Sequence, residues 1–149
     1  MDICRYRDVY PYDHSRVPLS NVSNTDYINA SLLSLDSLGR SYVLTQGPLS
    51  STSPHFWSMV WEQGCRAIIM LNRVIEKNTP KCHQYWPADK DEVMSFEEVG
   101  LTVENISLTP GQHYNISTLR SARISHGQTY DTHLSDSFQV NKYNRERDS

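Results

Sequence analysis

The chain has 149 residues, 38% hydrophobic and 21% charged, with a formal net charge of −3. That is long enough for one compact domain with its own core, the usual domain being roughly 100–150 residues. No apolar run approaches the roughly 18 residues of a membrane span, and the scattered Lys and Arg give no basis for nucleic-acid binding. Cys4, Cys65 and Cys82 are odd in number and form no CxxC pair, which argues against a disulfide framework and a zinc site. The six His show no HExxH spacing and the six Gly form no GxGxxG or Walker loop, so metal hydrolysis and nucleotide chemistry have no support. Met1 to Arg5 lacks the apolar core of a secretory signal, so the expected setting is cytoplasmic and the thiols are expected reduced. The sequons at Asn21, Asn29, Asn105 and Asn115 then read as chance matches.

In chain order, Tyr27–Leu32 and Tyr42–Thr45 carry strand-forming residues around Ser37-Leu38-Gly39-Arg40, which predicts a hairpin. Gly47-Pro48 punctuates its end. Ser53-Pro54 predicts a helix start, with Ser53 as N-cap and Pro54 where its missing N–H costs nothing. Phe56 with Val60, and Trp57 with Trp61, repeat at i, i+4 as a core-facing stripe, and Gly64 predicts a left-handed cap. Ala67–Leu71 is an unbroken apolar run, the form of a strand buried on both faces. Val93–Phe96, Leu101–Val103 and Tyr114–Leu119 predict antiparallel strands joined at Gly100 and Pro110-Gly111. Beyond Gly127 periodicity fades, and residues 127–149 are expected to be disordered. The elements imply an α+β domain with a large, twisted mixed sheet.

Several ordered blocks carry more than composition. They are Arg5-Tyr6-Arg7-Asp8-Val9-Tyr10-Pro11-Tyr12-Asp13-His14-Ser15-Arg16, Asp26-Tyr27-Ile28-Asn29-Ala30-Ser31, Thr45-Gln46-Gly47-Pro48, His55–Gln63, Leu71–Lys77 and Lys81-Cys82-His83-Gln84-Tyr85-Trp86-Pro87. Together the blocks resemble the N-terminal half of a protein-tyrosine-phosphatase catalytic domain, in wording nearest the non-receptor types one and two, over roughly residues 3–126. The resemblance implies phosphotyrosine-containing proteins as partners, no cofactor, and a highly twisted mixed sheet flanked by helices. It implies that Tyr6 stacks on the phosphotyrosyl ring and sets pocket depth, that Arg7 and Asp8 flank the pocket, and that Lys81 sits at its rim. A solvated charge pair is the plainer reading of Arg7 and Asp8, and stays open. Glu76 is implied to pair with the phosphate-loop arginine and Tyr85 to pack beneath that loop, both in supporting roles.

The family's catalytic signature, His-Cys with Arg five intervening residues later, is absent from these 149 residues. The sixth residue after Cys4, Cys65 and Cys82 is Tyr10, Leu71 and Ala88. Trp86-Pro87-Ala88-Asp89 imitates the Trp-Pro-Asp acid loop with one residue too many, and it follows Gln84-Tyr85, which belongs to an earlier block. No catalytic residue is therefore assigned. The likeness stops abruptly near Arg123-Ile124-Ser125-His126, as a splice change, a frameshift or an incomplete sequence would leave it, so the chain is expected to lie before the phosphate loop. Three functions stay open: a phosphatase relative inactive as given, a non-catalytic phosphotyrosine-peptide-binding or competing module, and a fragment without function. Loss of covering elements is further expected to expose Ile68, Ile69 and Met70, each contributing roughly 1.5–3 kcal/mol when buried. Hydrophobic-dye binding and a non-cooperative melt would follow.

Overall fold

A computed structural model describes residues 3–125 and 128–142, with side-chain surroundings defined for residues 3–124. An irregular N-terminal segment leads into an antiparallel hairpin of β1 (Ala30–Leu35) and β2 (Arg40–Thr45), with Leu33 opposite Tyr42. A 3₁₀ turn at Asp36–Leu38 closes it, and Gly39 at φ 58° takes the left-handed conformation that glycine adopts without a Cβ penalty. The predicted first strand began at Tyr27, but pairing starts at Ala30 because the preceding groups are committed elsewhere. The Tyr27 N–H donates to Thr25 Oγ1 at 3.0 Å, and Asn29 Nδ2 donates to the Val9 carbonyl at 2.8 Å.

Helix α1 (Ser53–Glu62) follows a 3₁₀ turn at Ser50–Thr52. Thr52, not the predicted Ser53, occupies the N-cap position. The preceding turn explains the shift: the N–H groups of Thr52 and Ser53 both donate to the Leu49 carbonyl, at 3.1 and 3.0 Å, so these early donors are satisfied by backbone. At the other end Gly64 has φ 59°, its N–H donates to the Trp61 carbonyl at 3.1 Å, and the Cys65 N–H reaches the Val60 carbonyl at 3.0 Å. Those two bonds make a Schellman cap, as the glycine predicted.

Strand β3 (Ala67–Met70) departs from the two-sided burial expected of its apolar run. Ile68 and Met70 are buried while Ile69 is 63% exposed, so the strand is covered on one face only. A run of apolar letters carries no information on which face is covered. Two short strands, β4 (Ile75–Glu76) and β5 (Thr79–Pro80), pair across Lys77 and Asn78, both with positive φ as a mirror-image two-residue turn requires. Strands β6 (Val93–Phe96), β7 (Leu101–Pro110), β8 (Tyr114–Ser125) and β9 (Gln128–Lys142) complete the chain. The main sheet has the order β3-β9-β8-β7-β6, with β3 parallel to β9 and the other pairs antiparallel. It is thus mixed, in an α+β fold, and among the described residues one α-helix accompanies it.

The polar segment expected to be disordered differs over Gln128–Lys142, where the backbone is a strand between β3 and β8. Tyr130, Thr132 and Leu134, then Phe138 and Val140, keep a period of two suited to a strand, and β8 and β3 supply edges on both sides. Gly127 and residues 143–149 of that expected tail lie outside the described residues. The core joins Phe56, Trp57, Met59 and Val60 of α1 to Leu101, Val103 and Leu119 of the sheet. Trp57 fixes the alignment, its Nε1 donating to the Tyr85 carbonyl at 2.7 Å.

Candidate functional site

The residues singled out from sequence lie on two segments far apart in the chain. Tyr6, Arg7 and Asp8 are exposed on the N-terminal segment, whereas Lys81 and Tyr85 follow β5. The link between them is the turn Gln46-Gly47-Pro48 at the end of β2. The Arg5 N–H donates to Gln46 Oε1 at 2.9 Å, and Gln46 Nε2 returns a bond to the Ile3 carbonyl at 2.9 Å. From the other side, the His83 N–H donates to the Pro48 carbonyl at 2.8 Å. Gly47 is required for this approach: a Cβ there would stand 2.6 Å from the Cys82 Cβ and 3.0 Å from the Lys81 carbonyl. One small turn therefore holds both candidate segments.

Each side chain can now be placed. Tyr6 is 52% exposed, so its ring is free to meet a ligand instead of serving the core. Arg7 and Asp8 are exposed, and neither forms a salt bridge within the described residues, an arrangement that fits solvated charges as well as pocket-flanking ones. Lys81 is half-buried, and its N–H donates to the Val74 carbonyl at 2.7 Å, which fixes the root of the side chain. Glu76 is engaged locally, its Oε1 accepting the N–H of Arg73 three residues earlier at 3.0 Å. Tyr85 is buried among aromatic rings, 4.7 Å from Phe56 and 4.9 Å from Trp86, and burial followed by the nearby Cys82 pushes its phenol pKa well up. The structure thus ties the Tyr6–Asp8 and Lys81 segments to the same stretch after β2, while Glu76 bonds to its own approach segment and Tyr85 lies in the aromatic core.

The imitation chemistry resolves into structural roles. Cys82 is 3% exposed, and burial raises its thiol pKa against the opposing influence of Asn72 and Arg5. A nucleophilic thiolate needs the reverse, a lowered pKa and access. In Trp86-Pro87-Ala88-Asp89, the Pro87 carbonyl accepts Asn105 Nδ2 at 3.0 Å and the Asp89 N–H donates to Glu92 Oε2 at 3.1 Å. That segment is a tied turn. Two of the sequon asparagines, Asn29 and Asn105, are 8% and 0% exposed, so neither presents a side chain for glycosylation in this fold.

Arg5 and Gln46 are the positions whose importance sequence alone did not reveal. Their signal was present in the Arg5–Arg16 and Thr45–Pro48 blocks, but a pairing across 41 residues has no local periodicity. Two recesses, one of about 10 Å³ bordered by Gln46 and Pro48 of this link with Asn29 and His55, and an open one bordered by Trp61, Glu62 and Arg123, are lined by none of Tyr6, Arg7, Asp8 or Lys81.

The family described as protein-tyrosine phosphatase matches residues 1–146. The chain belongs to the protein-tyrosine phosphatase family. Tyrosine-protein phosphatase non-receptor type 2 of Homo sapiens is 52% identical over 125 residues, covering 84% of this chain and 30% of the relative. Tyrosine-protein phosphatase non-receptor type 61F of Drosophila melanogaster is 52% identical over 112 residues, 74% of this chain and 20% of the relative. Receptor-type tyrosine-protein phosphatase-like N of Bos taurus is 43% identical over 106 residues, 68% of this chain and 11% of the relative. This member of the phosphatase family therefore spans less than a third of the length of these curated relatives. No described helix is long and apolar enough to cross a membrane.

Proposed function

We propose that this chain is the phosphotyrosine-recognising portion of a protein-tyrosine phosphatase, and that residues 1–149 alone bind phosphotyrosyl peptides without hydrolysing them. The observation that carries the reading is the Gln46-Gly47-Pro48 turn, which holds the Tyr6–Asp8 segment and the Lys81 segment together. An exposed aromatic ring beside cationic and anionic side chains suits a phosphorylated phenol within a peptide: the ring stacks, Arg7 and Lys81 attract the dianion, and Asp8 accepts peptide N–H groups. Tyr6 acts as the gauge of depth, because a phosphoserine on a shorter stem would not reach past it.

Hydrolysis needs more than recognition. A thiolate nucleophile, a cradle of N–H groups with an Arg, and a general acid are all required for phosphate-monoester cleavage by this chemistry. Within these 149 residues no cysteine has its arginine, and Cys82 is enclosed. The purified chain is expected to release no phosphate from a phosphotyrosyl peptide; vanadate-sensitive release would contradict inertness. Tyr6→Ala is expected to weaken binding of a fluorescent phosphotyrosyl peptide by roughly five- to tenfold, the size of an aromatic contact of about 1 kcal/mol or slightly more. Unchanged anisotropy curves would remove Tyr6 from the site.

A further inference from the structure

Arg5 stands immediately before the proposed recognition residues, yet its guanidinium is engaged by backbone carbonyls of the protein itself. Its Nε donates to the Gly47 carbonyl at 3.3 Å, Nη2 to the Pro48 carbonyl at 3.1 Å and Nη1 to the Pro80 carbonyl at 3.4 Å. Its own N–H adds the bond to Gln46 Oε1 at 2.9 Å. One side chain thus bridges three parts of the fold, the N-terminal segment, the turn after β2 and the residue before Lys81. Three carbonyl oxygens at three donors match the fixed fork of a guanidinium, and an ammonium on a flexible stem cannot reach all three together.

We infer that Arg5 is a positioning residue that sets the separation between Tyr6–Asp8 and Lys81, and through it the discrimination between phosphotyrosyl and phosphoseryl peptides. The inference rests on the recognition reading above for its consequence, and on the bonds themselves for its geometry. Tyr6 is covalently next to Arg5 and Lys81 is next to Pro80, so each bond acts one residue away from a proposed contact. Releasing the fork removes the side-chain tie between the two segments, and none of the hydrogen bonds lost reaches α1 or β7.

The test compares hydrogen exchange and peptide binding of the full chain with those of Arg5→Ala and Arg5→Lys. Expected in Arg5→Ala is faster exchange over residues 3–8 and 81–83, with α1 and β7 unchanged, and a preference for phosphotyrosyl over phosphoseryl peptide reduced by roughly tenfold or more. Arg5→Lys, which keeps the charge but not the fork, is expected to behave like the alanine variant. Protection lost equally in α1 and β7 would make Arg5 a general stabiliser and overturn the inference, as would unchanged exchange in the two segments or full rescue by lysine. Wild-type chain that binds neither peptide would contradict the recognition reading, and the exchange data would still decide the clamp.

Discussion

Glu62 ties the loop after Leu19 to the end of α1 with a single carboxylate. Oε2 accepts the Ser20 N–H at 2.9 Å, and Oε1 accepts the Asn21 N–H and Nδ2 at 3.0 Å and the Ser58 hydroxyl at 2.9 Å. Partial burial pushes its pKa up, but the donors from Ser20, Ser58 and Asn21 together outweigh burial and hold it below the usual 4.5. A depressed folded-state pKa means stabilisation that is present above the unfolded value and lost as pH falls through the folded one. Glu62→Gln is therefore expected to cost about 1–2 kcal/mol at pH 7 and progressively less on acidification, read from urea midpoints at both pH values. Equal midpoints at pH 7 would show that the charge contributes nothing. The tie to the loop was not legible in the sequence, where Glu62 is one letter of a familiar block and Ser20 and Asn21 lie 42 and 41 residues away.

At the scale of elements, the local signals of the hairpin and of the end of α1 were read correctly, the cap at Ser53 fell one residue late, and burial set by neighbours was misread. Gly64 is a local signal, since the chain must turn left-handed to end α1 whatever packs beside it. A Cβ there would meet nothing within 4 Å, so Gly64→Ala isolates the conformational penalty of φ 59° from any clash. The expected loss is about 1 kcal/mol by thermal or chemical unfolding, and an unchanged midpoint would contradict the cap assignment. Strand β3 is the opposite case: its composition gave its existence, but only the placement of α1 and the sheet decides that Ile68 and Met70 are covered while Ile69 is not. β9 was missed because interspersed charges masked its alternation, and its pairing depends on the edges of β3 and β8.

For the molecule as a whole, the α+β class and the blocks that carry family membership were visible in residue order, because such order reflects inherited structure more than propensity. The arrangement of the site was not, because the Gln46-Gly47-Pro48 turn and the Arg5 fork join positions up to 75 residues apart. Those long-range bonds bring scattered family residues together as the surface proposed to meet a phosphorylated phenol. In the proposed reading this surface recognises phosphotyrosine without the catalytic loop. Calorimetry of the purified chain with one peptide in phosphorylated and unphosphorylated forms tests it most directly. Measurably tighter binding of the phosphotyrosyl form is expected; equal affinity for the two peptides would contradict recognition.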